Sequence, residues 1–574
     1  MSSRRVQRKG GSYSARVFVA LCIFIVVIAG CALRLFEYPI DRQEFSRVRA
    51  RTTDKKVVGL VEVLERRSIP RIEESKDSDS KRLIRRDLQD FIDREWKEGW
   101  EYLKNIDMKT FASTIEGKDG ILVPKEALGR FDAGDSITYI RHSKPGVKLS
   151  FIHLSDVQLR DVRVYMFRKE LTHLLDYISD GFEHEPDLVF YDYSYYLTQI
   201  GIMRQLQNRL SAAERPSFMI HTGDALHMGV VSELYEFIYI TNKLNIPWYN
   251  ALGNHDYEVY GNLSSKDVGV IDPTMGFQTV GSRYNFINIH GQGFAVDKQV
   301  YFSPDNAPDD DTTRETRSVY NGFDRKGSGF LEEGKLRERL DKACRHCPGY
   351  YHFEALEPKG GDPGILFVVL DTSTKDFRFA KGTVYRHKEV VGSPDESRRL
   401  EQINWLRGIL EEYAAKGNWM VLAFGHHALN GKNFFDDSYK KVTELFHNPR
   451  YNVVAYFCGH SHEHLVTYHK NPHHAERFGF WEIKTDGIME YPKKGSLVNI
   501  VCMGEGYWEI TLQSFWPYFL EDLPADAPAM LKNAEKCFEA SKYDSAGKKK
   551  LLRYGKLDPK HHDVVLRFSF PKRK

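Results

Sequence analysis

Short apolar runs recur along the central part of the chain, and each of them stops at a glycine or polar residue. Six runs of this kind follow residue 148, all rich in β-branched or aromatic side chains. They are LSFIHLS before Asp156, SFMIHT before Gly223, PWYNAL before Gly253, ILFVVL before Asp371, WMVLAF before Gly425 and VVAYFC before Gly459. Runs of this length and composition predict short buried strands.

Helical patterns accompany these predicted strands. Apolar residues recur every three to four positions between Lys81 and Lys104, which predicts a helix with one apolar face. Ser393-Pro394-Asp395-Glu396 has the features of a helix start, with an N-cap, a first-turn proline and a capping-box glutamate, and leads into LEQINWLRGIL. Strands alternating with helices predict a layered α/β fold, in which polar residues just after the strands form the functional site.

A different pattern occupies the first residues. The run from Val17 to Leu33 carries no charge and follows a basic stretch. Its 17 residues are close to the lower limit for spanning a bilayer, and the absence of a polar face disfavours a buried core helix. We expect a membrane-anchored protein with its catalytic part outside the cytoplasm, on the periplasmic or extracellular side. Ile28-Ala29-Gly30-Cys31 also resembles a lipoprotein signal, which leaves lipidation of Cys31 as an alternative.

Charge excludes one class of partner. The 574 residues contain 82 Lys and Arg against 79 Asp and Glu, a net charge of +3. Five of the basic residues precede the apolar run, so the remainder of the chain is slightly acidic. No general attraction to nucleic acid is therefore expected.

The chain is too long for one typical domain, and four segments are expected. They are an anchor or signal segment at 1–36, an N-terminal extension at 37–147, a catalytic domain at 148–512 with insertions at about 159–215 and 257–362, and a tail at 513–574. Cys344 and Cys347 are spaced for a local disulfide, or they are two ordinary loop cysteines. The oligomeric state is left open.

Metal-binding residue types follow five of the apolar runs. In chain order they are Asp156-Val157-Gln158, Gly223-Asp224, Gly253-Asn254-His255-Asp256, Gly425-His426-His427 and Gly459-His460-Ser461-His462. Phosphate-ester hydrolysis can use two cations about 3.5–4 Å apart, held by a bridging carboxylate and by ligands from several strands. Aspartate, asparagine and histidine are suitable donors for iron, manganese or zinc.

This ordered set resembles the calcineurin-like metallophosphoesterase superfamily, to which the purple acid phosphatases are related. The resemblance covers residues 148–512, and the segment WEIKTDGIMEYP also has the character of this superfamily. It implies a four-layer α/β/β/α sandwich and two divalent or trivalent metal ions, namely Fe, Mn or Zn. It also implies hydrolysis of a phosphate mono- or diester by a hydroxide that bridges the metals.

The resemblance implies metal ligands at the matching positions. Asp156 and His462 would bind the first metal, and Asp224 would bridge the two metals. The implied ligands of the second metal are Asn254, His426 and His460.

A proton donor is implied as well. His255 would donate a hydrogen bond to the phosphoryl oxygen and protonate the departing alkoxide. Asp256 is placed to orient His255, or it is an ordinary surface carboxylate.

One position departs from the superfamily pattern. Gln158 stands where the first motif usually has histidine. Purple acid phosphatases also lack this histidine and use a tyrosine three residues after the bridging aspartate, an offset at which this chain has His227. We therefore predict that His227 ligates the first metal. The alternatives are the amide oxygen of Gln158, a water molecule or a partly occupied site.

The resemblance predicts a metal-dependent phosphoric ester hydrolase, and two other functions remain open. The first is a catalytically degenerate member that binds phosphorylated ligands or envelope partners, an idea motivated by Gln158. The second is a metal-dependent hydrolase of other bonds.

Overall fold

A computed structural model describes the chain in segments. The described residues are 78–106, 121–122, 146–160, 192–212, 214–257, 349–373, 401–430, 438–472, 479–491, 493–504, 506–542 and 564–570. The apolar run Val17–Leu33, the predicted helix start at Ser393, and the pair Cys344 and Cys347 lie outside them. Within these described segments, no helix has the length and apolar character needed to cross a membrane.

Thirteen strands and six α-helices make up the described part. The strands are β1 (Ile121–Leu122), β2 (Gly146–Leu154), β3 (Met219–His221), β4 (Trp248–Asn250), β5 (Tyr351–Leu356), β6 (Gly364–Val369), β7 (Trp419–Phe424), β8 (Val453–Cys458), β9 (Leu465–His469), β10 (Phe480–Lys484), β11 (Gly495–Gly504), β12 (Tyr507–Phe515) and β13 (Val564–Ser569). The helices are α1 (Ser78–Leu103), α2 (Asp192–Arg209), α3 (Val231–Asn242), α4 (Glu401–Lys416), α5 (Ser438–His447) and α6 (Ala529–Ser541). A 3₁₀ helix covers Tyr518–Asp522.

The strands form two mixed sheets. The first has the order β1-β13-β12-β11-β2-β3-β4. Strands β2, β3 and β4 are parallel, the pairs β2–β11, β11–β12 and β12–β13 are antiparallel, and β1 is parallel to β13. The second has the order β5-β6-β7-β8-β10-β9, with a parallel centre from β6 to β10 and antiparallel edges. Parallel strands require crossover connections, and these carry the helices.

Aromatic side chains fill the space between the two sheets. Phe151 of β2 meets three rings of the second sheet edge-on, with centroids 5.2 Å from Phe367, 6.0 Å from Phe424 and 5.8 Å from Phe457. Such edge-to-face contacts add to the stability gained by burying the rings. The contacts bring the sheets face to face, so the loops after β2 and β8 approach each other.

Helices cover the outer faces of the sheets. Phe446 of α5 packs on Tyr456 of β8, and the buried residues of α4 belong to the same apolar cluster. On the first sheet, Phe237 of α3 contacts Trp248 of β4 at 5.7 Å. This arrangement is consistent with the α/β sandwich that the resemblance implies.

The predicted N-terminal helix is confirmed as α1, which packs on the sandwich. Ile92 and Leu103 are fully buried. The Gln205 side chain of α2 donates a hydrogen bond to the carbonyl of Leu103, and the backbone at Gly99 lies against Met530 of α6. The described part of the N-terminal extension is therefore in contact with the core.

All six apolar runs are strands, as predicted, and they correspond to β2, β3, β4, β6, β7 and β8. Other elements cross the expected segment limits. Strand β5 lies within the expected insertion 257–362 but forms an edge of the second sheet. Helix α2 lies within the expected insertion 159–215, and β12 continues past residue 512. Strand β13 of the tail pairs with β12, so the tail contributes to the first sheet.

Candidate metal centre

The carboxyl ends of five parallel strands meet at one edge of the sandwich. Asp156 follows β2, Asp224 follows β3 and Asn254 follows β4. In the second sheet, His426 follows β7 and His460 follows β8. The loops that carry the chemistry are thus brought together by sheet topology, as is usual for α/β folds.

Two glycines allow these loops to approach closely. A Cβ atom at Gly253 would overlap the carboxylate and backbone nitrogen of Asp224. A Cβ atom at Gly459 would overlap Ser155 and the carboxylate of Asp156. Any other residue at either position would therefore push the loops apart.

Five of the polar residues have left-handed backbone conformations. The φ angles are 50° for Asp156, 42° for Gln158, 58° for Asp224, 68° for His460 and 50° for His462. This region is uncommon for residues with a Cβ atom, and its strain tends to occur at functional sites. The loops therefore hold these side chains in conformations that the isolated chain would avoid.

Asp156, His462 and Gln158 meet on one side of the centre. The Nε2 atom of His462 lies 3.1 Å from Oδ1 of Asp156. The Gln158 Nε2 atom lies 3.3 Å from both Oδ2 of Asp224 and Nε2 of His462. The other oxygen of Asp156 accepts a hydrogen bond from the backbone N–H of His460 at 2.9 Å.

Asp224, His426 and His460 meet on the other side. His426 donates its Nδ1–H to the carbonyl of Thr222 at 2.8 Å, which turns its Nε2 atom toward Oδ2 of Asp224 at 3.1 Å. The Nδ1 atom of His460 lies 3.2 Å from Nε2 of His426. Asn254 is buried in the adjoining loop.

The buried carboxylates of Asp156 and Asp224 favour positive charge on the groups next to them. Burial raises the pKa of Asp224, but the imidazoles of His426 and His255 outweigh it and hold that pKa well below its usual range. Burial alone would lower the pKa of His426, but the charges of Asp224 and Asp156 outweigh this effect and raise the pKa to about 9. In contrast, burial and the charge of His426 lower the pKa of His460 to about 3. Buried carboxylates with this electrostatic preference favour cations.

The spacing of the donor atoms fits metal coordination. Ligand atoms about 2.1 Å from one metal lie about 3.0–3.4 Å apart at angles of 90–109°. The Asp156–His462 and Asp224–His426 contacts of 3.1 Å and the His426–His460 contact of 3.2 Å have this spacing. Potential ligand atoms of Asp156, Asp224 and His426 also lie within 4.8 Å of one another. The residues present therefore fit one or more metal ions.

Residues 149–359 match the family model described as calcineurin-like phosphoesterase. This part of the chain is therefore similar to calcineurin-like phosphoesterases. The match confirms the resemblance noted in the sequence, and this family generally consists of metal-dependent phosphoesterases. No match was found among curated proteins. The motif residues from Asp156 to Asp256 lie inside the matched range, and the histidines after β7 and β8 lie beyond it.

Within the matched range, His255 lies beside the carboxylate of Asp224. Its backbone N–H donates to Oδ1 of Asp224 at 2.8 Å. Its ring donates Nδ1–H to the carbonyl of His227 at 2.8 Å, so the Nε2 atom is the one available to a substrate. Burial lowers the pKa of His255 despite the opposing effect of Asp224.

The environment of Asp256 differs from both of the expected ones, which were an orienting contact with His255 and a position on the surface. It is fully buried, and its oxygens accept hydrogen bonds from the backbone N–H groups of Gly253 and Ala225 at 2.7 Å, Asp224 at 3.2 Å and Leu226 at 3.3 Å. Burial and the charge of Asp224 raise its pKa to about 8, against the effect of these hydrogen bonds. Asp256 thus ties the loop after β4 to the loop after β3.

His227 lies behind Gln158 in the same matched range. Its Nδ1 atom is 3.3 Å from Oε1 of Gln158, and its ring stacks on His255 with centroids 5.6 Å apart. The amide nitrogen of Gln158, on the opposite side, faces Asp224 and His462. Gln158 therefore lies between His227 and the two candidate metal ligands.

Two residues that sequence reasoning did not single out contact the site. The hydroxyl of Thr372 accepts hydrogen bonds from the backbone N–H groups of His426 and His427, both at 3.0 Å. The carboxylate of Glu490 lies 3.4 Å from Nδ1 of His462. Thr372 follows a predicted strand, which was an available signal. Glu490 ends the WEIKTDGIME stretch, where nothing in the pattern distinguishes it from a surface acid.

Proposed function

We propose that this chain is a metal-dependent phosphoric ester hydrolase with a dinuclear centre in a four-layer α/β/β/α sandwich. The observation that carries the proposal is the convergence of two buried carboxylates with His426, His460 and His462 at ligand spacing. Asp156, Gln158 and His462 would hold the first metal. Asp224 would bridge the pair, and Asn254, His426 and His460 would hold the second.

The substrate would be a phosphate mono- or diester. Bound Fe, Mn or Zn ions would neutralise charge on the phosphoryl oxygens and lower the pKa of water. His255 would act as general acid through its Nε2–H, because its Nδ1–H is already donated to the His227 carbonyl. Burial favours the neutral ring, whose one proton is on Nδ1. The ring would therefore first take up a proton from solvent on Nε2, then give that proton to the leaving alkoxide and return to the neutral form.

Two assays together test this proposal. Metal content is measured by elemental analysis, and turnover is measured with a mono- and a diester of nitrophenol. His255→Ala should keep the bound metals and lose turnover by about 10²–10⁴-fold. His447→Ala is the matched control, since this part-buried histidine of α5 contacts the carbonyl of His469 rather than the site.

The outcomes of these assays separate the candidate functions. Wild type that binds no metal would refute the proposal. Wild type that binds metal but hydrolyses neither ester would favour the binding-module alternative, and hydrolysis of other esters or amides would favour a non-phosphate hydrolase. Turnover in His255→Ala equal to that of wild type would remove the general-acid role.

The remaining position at the first metal is assigned to Gln158 rather than His227. The contacts favour Gln158 because its amide lies 3.3 Å from both Asp224 and His462, whereas the ring of His227 contacts Gln158 itself. A rotation of the amide would present its oxygen to a metal. Gln158→Leu should then lose one metal per chain, and His227→Ala should retain both. The reverse result would identify His227 as the ligand.

We also propose that the N-terminal apolar run attaches the protein to a membrane, with the phosphoesterase domain outside the cytoplasm. The uncharged residues Val17–Leu33 after a basic stretch support this location. Membrane fractionation of the full chain tests it. Attachment that persists after Cys31→Ala would favour an anchor over a lipidated cysteine, and recovery of the full chain only in the soluble cytoplasmic fraction would refute the location.

A further inference from the structure

A short segment after β10 borders the first-metal side. The backbone N–H of Ile488 donates to the carbonyl of Ser155, and that of Met489 donates to the carbonyl of Asp156, each at 3.2 Å. These bonds tie residues 486–490 to the loop that carries the first carboxylate. We call residues 486–490 the flanking segment.

The flanking segment encloses the ring of His462. A Cβ atom at Gly487 would lie 3.0–3.1 Å from two ring carbons, so glycine permits close packing there. The carboxylate of Glu490 lies 3.4 Å from Nδ1 of His462. The Nε2 atom of the same ring faces Asp156 at 3.1 Å. Each ring nitrogen thus faces a carboxylate, and only the Nε2 side faces the candidate metal position.

Buried polar groups hold the flanking segment in place. The Nζ atom of Lys493, which is 1% exposed, donates to the carbonyls of Ile488 and Met489. The backbone carbonyl of Lys493 accepts hydrogen bonds from Tyr195 at 2.7 Å and from Gln199 at 2.9 Å, both on α2. The carboxylate of Glu490 is therefore presented from a backbone that is fixed on both sides.

We propose that Glu490 is a positioning residue that prepares His462 for metal binding. Its carboxylate accepts the Nδ1–H of His462, which leaves the lone pair of Nε2 directed at the metal. A carboxylate behind a metal-binding histidine fixes its tautomer and orientation and increases its basicity. This inference rests on the proposed metal centre, because without a metal the orientation of His462 has no function.

The chain offers a matched control for this role. Glu463 is the next residue after His462, but its carboxylate pairs with Lys484 at 2.7 Å rather than with the ring. Glu463→Ala thus removes a negative charge next to His462 in sequence without removing the Nδ1 contact. Glu490→Gln keeps an oxygen that can accept the Nδ1–H, and Glu490→Ala removes it.

The test is a calorimetric titration of the metal-free full-length protein with Mn²⁺ and, separately, with Zn²⁺. Glu490→Ala should weaken binding at one of two sites by about 10–100-fold. Glu490→Gln should recover most of this loss, and Glu463→Ala should bind as wild type does. The melting temperature of metal-free Glu490→Ala should equal that of metal-free wild type, which separates positioning from a structural role.

The results distinguish failure of this inference from failure of the proposed function. If wild type binds no metal, the proposed metal centre itself is wrong. If wild type binds metal and Glu490→Ala binds equally well, only the role of Glu490 is wrong. Equal losses in Glu490→Ala and Glu463→Ala, or a Glu490→Gln variant as weak as Glu490→Ala, would also overturn it.

Discussion

Replacing Asp256 by alanine should destabilise the protein more than it impairs the chemistry directly. The Asp256 carboxylate accepts four backbone hydrogen bonds, two of them at 2.7 Å from Gly253 and Ala225. Each buried N–H left without an acceptor costs about 1–3 kcal/mol, so the two short bonds alone predict about 2–6 kcal/mol. Removing a buried carboxylate returns part of this cost, and we expect a net loss of about 3 kcal/mol in the free energy of unfolding.

Urea unfolding of the metal-free protein, followed by tryptophan fluorescence, measures this loss. Asp362→Ala is the control, because Asp362 forms a partly exposed ion pair with Lys148 at 2.8 Å and should contribute less than about 1 kcal/mol. If Asp256→Ala unfolds at the same urea concentration as wild type but has lower turnover, the reasoning is refuted. Asp256 would then act on His255, as the sequence suggested.

Three further predictions concern glycine, pH and metal removal. Gly253→Ala should abolish metal binding, measured by elemental analysis, because its Cβ atom would overlap Asp224. Gly408→Ala is the control and should bind metal normally, because the space around Gly408 is open. Equal metal content in both variants would contradict the prediction. Burial lowers the pKa of His352 from 6.5 to about 4, so its contribution to stability is present above pH 6.5 and is lost as the pH falls. Wild type should therefore lose about 1 kcal/mol more than His352→Phe between pH 8 and pH 5.5 in urea unfolding, and parallel pH profiles would be inconsistent with a buried neutral ring. Chelation should lower the melting temperature of metal-loaded protein, since ligand at about 100 times its Kd stabilises by about 2.7 kcal/mol, and an unchanged transition would argue against metal binding.

The centre of the fold was predictable because its signals are local. Strands such as β7 and β8 are continuous buried runs, and each ends at a glycine followed by histidine. Buried parallel strands carry this pattern because both faces are covered. The strand ends also predicted which polar residues would share one edge, and the structure brings Asp156, Asp224 and His426 together there.

Other elements lacked such a signal. Helix α2 is buried on nearly all sides, so its sequence has no polar stripe at helical spacing. Strand β5 has an alternating pattern over only six residues and follows a long stretch rich in glycine, proline and aspartate.

Side-chain partners across the site were not predictable either. The hydrogen bonds of the His255 and Asp256 side chains are made to backbone groups, which leave no trace in residue type. The contact between Glu490 and His462 depends on how the segment after β10 crosses the loop after β8.

Strand β13 has a consequence for any shortened form of the protein. It pairs with β12 along six residues, from Val564 to Ser569. A fragment ending at residue 512 would cut β12 itself and leave a row of open backbone hydrogen-bonding groups at the edge of the sheet. Such an edge can recruit a strand from a neighbouring molecule. Loss of the last few dozen residues would therefore promote self-association and precipitation, even though every candidate metal ligand would still be present.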